Sequence, residues 1–196
     1  MTEPLRKRCK RYDVPGDAHC LTFSCFQGLP LFTRERSCQW MLEALTLGRN
    51  KGQYDLWAYV IMPEHVHVVL FPRAKVKISA VLTTLKQSVS KRAILWLRGN
   101  APGFLSRLED RQPNGIRTYR FWQRGGGYDR NLRTVADIHQ KIEYVHNNPV
   151  RRELATSAER WFWSSCRAWQ TGVNLPITID RESLPPLLPS DPRRRR

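Results

Sequence analysis

Residues 54–71 read YDLWAYVIMPEHVHVVLF, and this stretch decides the fold. Tyr54 to Met62 and His65 to Phe71 are both rich in β-branched and aromatic side chains, with only Pro63 and Glu64 between them. Such residues fit a pleated, half-buried surface, so the pair is expected as an antiparallel hairpin. Side chains alternate along a strand, which puts His65 and His67 on one face and Val66, Val68 and Leu70 on the other. With the valine face in the core, the two imidazoles lie on a half-exposed or polar-covered face. There they are suited to hold a divalent ion if a third ligand is supplied. Taken alone, an HxH pair is a weak signal and reads more simply as hydrogen-bonded strand histidines.

Working outward, His19 to Phe26 reads as a strand. Cys38, Met41, Leu42 and Leu45 keep helical spacing between Thr33 and Gly48. After the hairpin, Ile78, Val81, Leu82, Leu85 and Val89 mark a helix from Ile78 to Trp96, ended by Gly99 and Asn100. Residues 101–114 have no clean period and are expected as an irregular connection. Thr118 to Gln123 (TYRFWQ) is expected as the last strand, ended by Gly125, Gly126 and Gly127. A helix capped by Thr134 should run to about Asn147 and be stopped by Pro149, because the residue before proline is biased away from helix. The resulting order of elements suggests an α+β, ferredoxin-like antiparallel sheet with packed helices. Residues 1–18 form a basic N-terminal arm, 19–172 the folded domain, and 173–196 a Pro/Arg-rich tail. Trp161, Trp163 and Trp169 are expected to pack on the domain, and no internal repeat is visible.

Composition agrees with one soluble domain. The chain has 196 residues, 41% of them hydrophobic, with seven tryptophans, which is enough apolar material to build a core. Lys and Arg number 33 against 17 Asp and Glu, a formal charge of +16. So positive a field favours a polyanionic partner, most often nucleic acid. No stretch is long and apolar enough for a membrane span, and the N-terminus lacks the apolar core of a secretion signal. No membrane partner is expected, and the reading is cytoplasmic and nucleoid-associated. Five cysteines without a CxxC pair argue against a disulfide framework and a thiolate zinc knuckle. No Walker-type glycine loop is present, so no nucleotide cofactor is expected.

The helix before Pro149 reads DIHQKIEYVHNNP over residues 137–149. Its apolar stripe is Val135, Ile138, Ile142 and Val145, and Tyr144 lies roughly 140° from the stripe's centre, on the side of Asp137, Gln140 and Lys141. Asn148 follows one turn later. From the residues alone, Tyr144 is either a solvent-rimmed packing residue or a nucleophile with Asn148 as an oxygen ligand beside it.

Four segments in order, PEHVHVVL (63–70), FWQRGGGYDR (121–130), EYVHNNPVRREL (143–154) and WFWSSCRAW (161–169), make the sequence resemble the REP-associated tyrosine transposases, within the single-tyrosine HUH transposases. The resemblance spans about Asp55 to Gln170. It implies a DNA transposase or recombinase that nicks and religates single-stranded, hairpin-bearing DNA through a 5′-phosphotyrosine. By position it makes His65 and His67 ligands of Mg²⁺ or Mn²⁺, Asn148 the third, amide ligand and Tyr144 the nucleophile, and leaves His146 and Asn147 without a role. The triple glycine and the long tail depart from the family pattern and bear on substrate choice.

Arg6, Lys7 and Arg8 of the arm, Lys86, Lys91 and Arg92, and Arg120, Arg124 and Arg130 are candidates for phosphate contacts. Trp122 and Tyr128 either stack on unpaired bases or join the core. Two other functions fit the same residues: a non-catalytic single-stranded nucleic-acid-binding protein, and a metal-dependent nuclease in which Tyr144 is incidental. Both a monomer and a homodimer are compatible with this pattern.

Overall fold

The hairpin is formed as its sequence predicts: in a computed structural model, which describes residues 12–112, 114–125 and 127–187, β2 (Tyr54–Ile61) and β3 (His65–Pro72) pair antiparallel, with His67 opposite Val60. Before them come β1 (Ala18–Ser24) and α1 (Glu35–Asn50), and after them α2 (Ile78–Asn100) and α3 (Pro102–Leu105). The chain continues through β4 (Glu109–Arg111), β5 (Arg117–Tyr119), β6 (Tyr128–Leu132), α4 (Val135–His146), α5 (Asn148–Arg151) and α6 (Cys166–Thr171). β1 lies along the free side of β3, and β6 pairs antiparallel with β1, so the main sheet has the order β2-β3-β1-β6. This is the strand order of a ferredoxin-like α+β domain.

The sheet is covered on both faces. Leu21, Phe23, Val66, Val68 and Leu70 join Met41, Leu42 and Leu45 of α1 and Val81, Leu82 and Leu85 of α2 in one core. Cys20, Val60 and Val69 join Ile138, Ile142 and Val145 of α4 in a second core on the opposite face. β2 is buried along its whole length, which accounts for its nearly continuous apolar sequence. The histidine face of β3 is therefore the face covered by α4. Gly48 allows α1 to close on the sheet: a Cβ there would sit 2.6 Å from the Tyr54 hydroxyl, which donates to the Leu45 carbonyl.

Three expectations are corrected. The last strand of the sheet is not residues 118–123. Only Arg117–Tyr119 is strand, paired with β4 in a separate two-stranded sheet, while Phe121 and Trp122 turn into the core. Their aromatic character signals burial in a loop rather than a strand. The fourth strand is Tyr128–Leu132, whose polar sequence YDRNL suits an edge with Leu132 alone fully buried. Second, residues 101–114 contain α3 and β4. Third, Pro149 does not end helical structure. The chain turns at Asn147 and resumes as α5, with Pro149 in its first turn, where the missing N–H costs nothing.

Residues 177–185, in the segment read from its prolines as a tail, lie against the body. The Asp180 carboxylate accepts from Arg49 at 2.6 Å and from the Leu56 amide at 2.8 Å, Ile179 is buried, and the Trp57 indole donates to Ser183. Arg6, Lys7 and Arg8 lie outside the described residues.

Within the triple glycine, Gly127 has a geometric requirement. Its φ is +74°, and a Cβ would come within 2.1 Å of the Thr22 carbonyl oxygen. A Gly127→Ala variant is expected to lower stability by roughly 2–3 kcal/mol, as backbone strain and a steric clash combine. Urea unfolding followed by circular dichroism measures this, and a change within about 0.5 kcal/mol would contradict the packing of β6 on β1.

Candidate active site

The β3 register brings His65 and His67 to the face beneath α4, and their surroundings fix which nitrogen of each ring carries the proton. The Glu64 carboxylate lies 3.1 Å from His65 Nδ1 and also accepts from Arg152 at 2.9 Å. An ionised carboxylate only accepts, so the His65 proton sits on Nδ1 and the Nε2 lone pair points away from Glu64. On β1, directly opposite His67 in the sheet, Thr22 places its hydroxyl 2.7 Å from His67 Nδ1. The Asn148 amide nitrogen lies 3.1 Å from His67 Nε2 and donates to it, so the proton of this ring sits on Nδ1, toward Thr22.

Both Nε2 lone pairs consequently face one point. The two atoms are 2.9 Å apart, with the rings nearly perpendicular. Facing lone pairs repel, and a cation between them removes the repulsion. An octahedral ion with bonds of ~2.0–2.1 Å holds neighbouring donors about 2.9 Å apart, so the spacing fits a small divalent ion. The carboxylate and hydroxyl on the outer nitrogens are the kind of partners that orient metal-bound imidazoles. Among the described residues no three His, Cys, Asp or Glu side chains converge on such a point. The side-chain amide of Asn148 is the further polar group beside this point, its nitrogen 3.1 Å from His67 Nε2. Two imidazoles and an amide carry no net charge, so a divalent ion held by them would keep its positive charge for an anionic substrate.

His67 and Asn148 are buried. Burial, reinforced by His65 and Lys141, pushes the His67 imidazole down to about 3. Burial also lowers His65, against the opposing pull of Glu64. At Glu64 burial acts upward, but His65 and Arg152 outweigh it and hold the carboxyl below its usual range. Burial thus favours the neutral form of both imidazoles, the form in which an imidazole can hold a metal ion.

Tyr144 stands at the rim, 37% exposed, with its ring 5.9 Å from the His67 ring and close to perpendicular to it. Lys141 and Arg151 flank it, the ammonium nitrogen and the guanidinium carbon each 5.0 Å from the ring centroid. The sequence motifs thus meet: Tyr144 on α4 and Asn148 on α5 lie beside His65 and His67 of β3. Glu64, Thr22, Arg151 and Arg152 join the site without having been singled out. Glu64 could have been suspected from its place directly before His65, whereas Thr22 is visible only through strand pairing.

The remaining cations are placed elsewhere. Arg92 pairs with Glu43, Arg120 and Arg124 share Asp110, and Arg130 pairs with Asp137 at 2.9 Å. Lys86 donates to the Gly125 carbonyl at 2.9 Å, and Lys91 is exposed on α2. Trp122 is a core residue, while Tyr128 is exposed on the edge strand. His146, which has no expected role, is buried, and its imidazole is 2.8 Å from the Ser165 hydroxyl.

The structure is similar to that of a REP-associated tyrosine transposase bound to a REP hairpin, with a TM-score of 0.62 and 18% identity, covering 97% of this chain and 100% of that one. At this identity the likeness establishes a shared fold, the antiparallel α+β sheet with packed helices. A chain assigned as a transposase of Deinococcus radiodurans R1 aligns at 19% identity over 72% of this chain and 98% of its own, with a TM-score of 0.39, too low to indicate a common fold. No protein-family model matches the chain, and no curated protein matches it significantly.

Three outcomes follow. Because His67 is pushed down to about 3 and His65 is also lowered, Mn²⁺ binding at pH 6.5 should release fewer protons per ion than the roughly one that two histidines with ordinary values of about 6.5 would release. Titration calorimetry in buffers of different ionisation enthalpy reads this directly. The sign for stability is the same: the unfolded chain takes up the His67 proton below pH ~6.5, so that contribution to stability falls as pH drops from ~6.5 toward 3. Glu64→Gln replaces the charged acceptor that orients His65 with a neutral amide and should weaken Mn²⁺ binding about 10–100-fold. Unchanged affinity would mean that the carboxylate does not orient the imidazole.

Proposed function

We propose that the chain cuts and rejoins single-stranded, hairpin-bearing DNA by transesterification at Tyr144, with Mg²⁺ or Mn²⁺ held by His65, His67 and Asn148. The observation that carries this reading is the convergence of a rim tyrosine, flanked by two cations, with two imidazoles whose free lone pairs meet. The net charge of +16 suits a polyanionic substrate. The neighbour's bound REP hairpin supports hairpin DNA as the substrate class.

The residues divide the work. Lys141 and Arg151 draw a phosphodiester to the phenol and offset its charge. The Tyr144 oxygen attacks phosphorus in line with the 3′ oxygen. A phosphorus–oxygen bond to tyrosine forms as the bond to the 3′ oxygen breaks, and the phenolic proton is made up on the departing 3′ oxygen through solvent. The products are a 5′-phosphotyrosine and a free 3′-hydroxyl. One phosphodiester replaces another, so the step is nearly balanced in energy and a second 3′-hydroxyl reverses it without a nucleotide triphosphate. A divalent ion at the imidazoles supplies polarisation of a non-bridging oxygen and neutralisation of transition-state charge.

The test is a covalent adduct. Incubation of labelled hairpin DNA with the chain and Mn²⁺ should give a band that survives denaturation, absent for Tyr144→Phe and lost or reduced at least about 100-fold for His65→Ala, consistent with several kcal/mol of charge stabilisation. Cleavage without an adduct would indicate a metal-dependent nuclease. Retarded migration without cleavage would indicate a binding protein.

A further inference from the structure

His146 and the segment WFWSSCRAW (161–169) belong to motifs to which the proposed chemistry gives no task. The structure brings the two together. The buried residues of α4 are Ile138, Ile142, Val145 and His146, so one polar side chain stands among three apolar ones. Its Nε2 atom lies 2.8 Å from the hydroxyl of Ser165, which is fully buried, and its ring meets the Trp169 ring edge to face.

Ser165 is itself fixed by backbone. Residues 161–165 run along the outer edge of β2: Ile61 N donates to the Trp163 carbonyl at 2.8 Å and Ser165 N to the Tyr59 carbonyl at 3.0 Å. The Tyr59 main-chain amide donates back to the Ser165 hydroxyl at 2.9 Å. The indoles of Trp161 and Trp169 add bonds to the Ile61 and Trp57 carbonyls. The hydroxyl that His146 meets is therefore anchored to the strand that pairs with β3.

A helix that presents a tyrosine must be pressed onto the sheet and also turned to the right angle about its own axis. Ile138, Ile142 and Val145 achieve the first, but apolar burial has no direction. A hydrogen bond has one. At about 100° per residue His146 projects roughly 200° round the helix from Tyr144. Tyr144 and Asn148 reach His67 on one side of the helix end, while His146 reaches the edge of β2 on the other. A roll that parts His146 from Ser165 therefore shifts Tyr144 and Asn148 against the histidines. With a radius of ~5–6 Å, side chains included, a roll of about 10° moves a side-chain tip by about 1 Å. A misplacement of about 1 Å can cost about 100-fold in rate.

We infer that His146 is a positioning residue: its bond to Ser165 sets the roll of the helix end, and with it the placement of Tyr144 and Asn148 beside His65 and His67. The inference deepens the proposed function and rests on it for the reaction.

The test compares the unaltered chain with Ser165→Ala, His146→Leu, the double variant and His146→Gln, whose amide nitrogen takes the place of Nε2. Three quantities are read: the first-order rate of adduct formation on saturating labelled hairpin with Mn²⁺, hairpin affinity, and Mn²⁺ affinity by calorimetry. Ser165→Ala and His146→Leu should each slow adduct formation about 10–100-fold, the scale of a misplaced reacting group, with hairpin affinity unchanged. Mn²⁺ affinity should fall about tenfold as Asn148 shifts. The double variant should be no slower than the slower single one, as for two ends of one bond. His146→Gln should regain most of the rate. Retention of the full rate by Ser165→Ala and His146→Leu overturns the inference. So does a double variant whose loss is the product of the single losses, or a loss of rate, hairpin affinity and circular dichroism together, which marks a residue that only stabilises the fold. Ser165→Ala, which removes a single oxygen, keeps the test open if His146→Leu fails to fold. If the unaltered chain gives no adduct, strand transfer fails and the metal titration decides alone. Weaker Mn²⁺ binding in His146→Leu that His146→Gln restores then upholds the positioning role, and equal binding in all variants overturns it. An unaltered chain that binds no Mn²⁺ overturns both.

Discussion

The imidazole of His67 is held from three directions, and the rest of the site depends on that restraint. The hydroxyl of Thr22 on the neighbouring strand lies 2.7 Å from its Nδ1 atom, Asn148 approaches its Nε2 atom, and His65 faces the same atom at 2.9 Å. Each contact comes from a different part of the chain. β1 and β3 must pair in one register for Thr22 to lie opposite His67, and a shift by one residue would turn both histidines into the α1 and α2 core. α4 must be seated on the sheet for Asn148 to arrive. The three-sided grip is thus the local expression of the whole topology.

Magnitudes indicate what seats α4. Ile138, Ile142 and Val145 are buried against the sheet, and each contributes roughly 1.5–3 kcal/mol through removal from water. The Arg152–Glu64 pair, with the arginine side chain about half exposed, contributes about 0–1 kcal/mol after solvent screening. Apolar contact therefore contributes most of what holds the tyrosine-bearing segment on the sheet. This division suits a site that must keep Tyr144 near the imidazoles while its ring remains open to a large substrate.

The sequence pattern revealed the hairpin, the two long helices and the shared face of the histidines, because alternation and helical period are local and strong there. It misplaced the fourth strand because edge strands need little apolar character: YDRNL buries only Leu132 fully, whereas TYRFWQ attracted attention through aromatics that serve the core from a loop. The tyrosine and histidine motifs indicated chemistry separately, but their meeting is a tertiary fact. Arg92, Arg120, Arg124 and Arg130 looked available to phosphate in the sequence, yet each has a carboxylate partner in the fold. Proline content marked residues 173–196 as an extended tail, and within that segment the Asp180 carboxylate accepts from Arg49 and from the buried Leu56 amide.

The central claim is that the facing nitrogens of His65 and His67 form a metal site beside Tyr144. Anomalous scattering from crystals soaked in Mn²⁺ tests it most directly. A single strong peak bonded to both Nε2 atoms and to the Asn148 amide oxygen, with the Tyr144 hydroxyl on its open side, is the expected result. Manganese bound elsewhere with the imidazoles bridged by a proton, or an ion there with Tyr144 turned away from it when DNA is bound, would contradict the account.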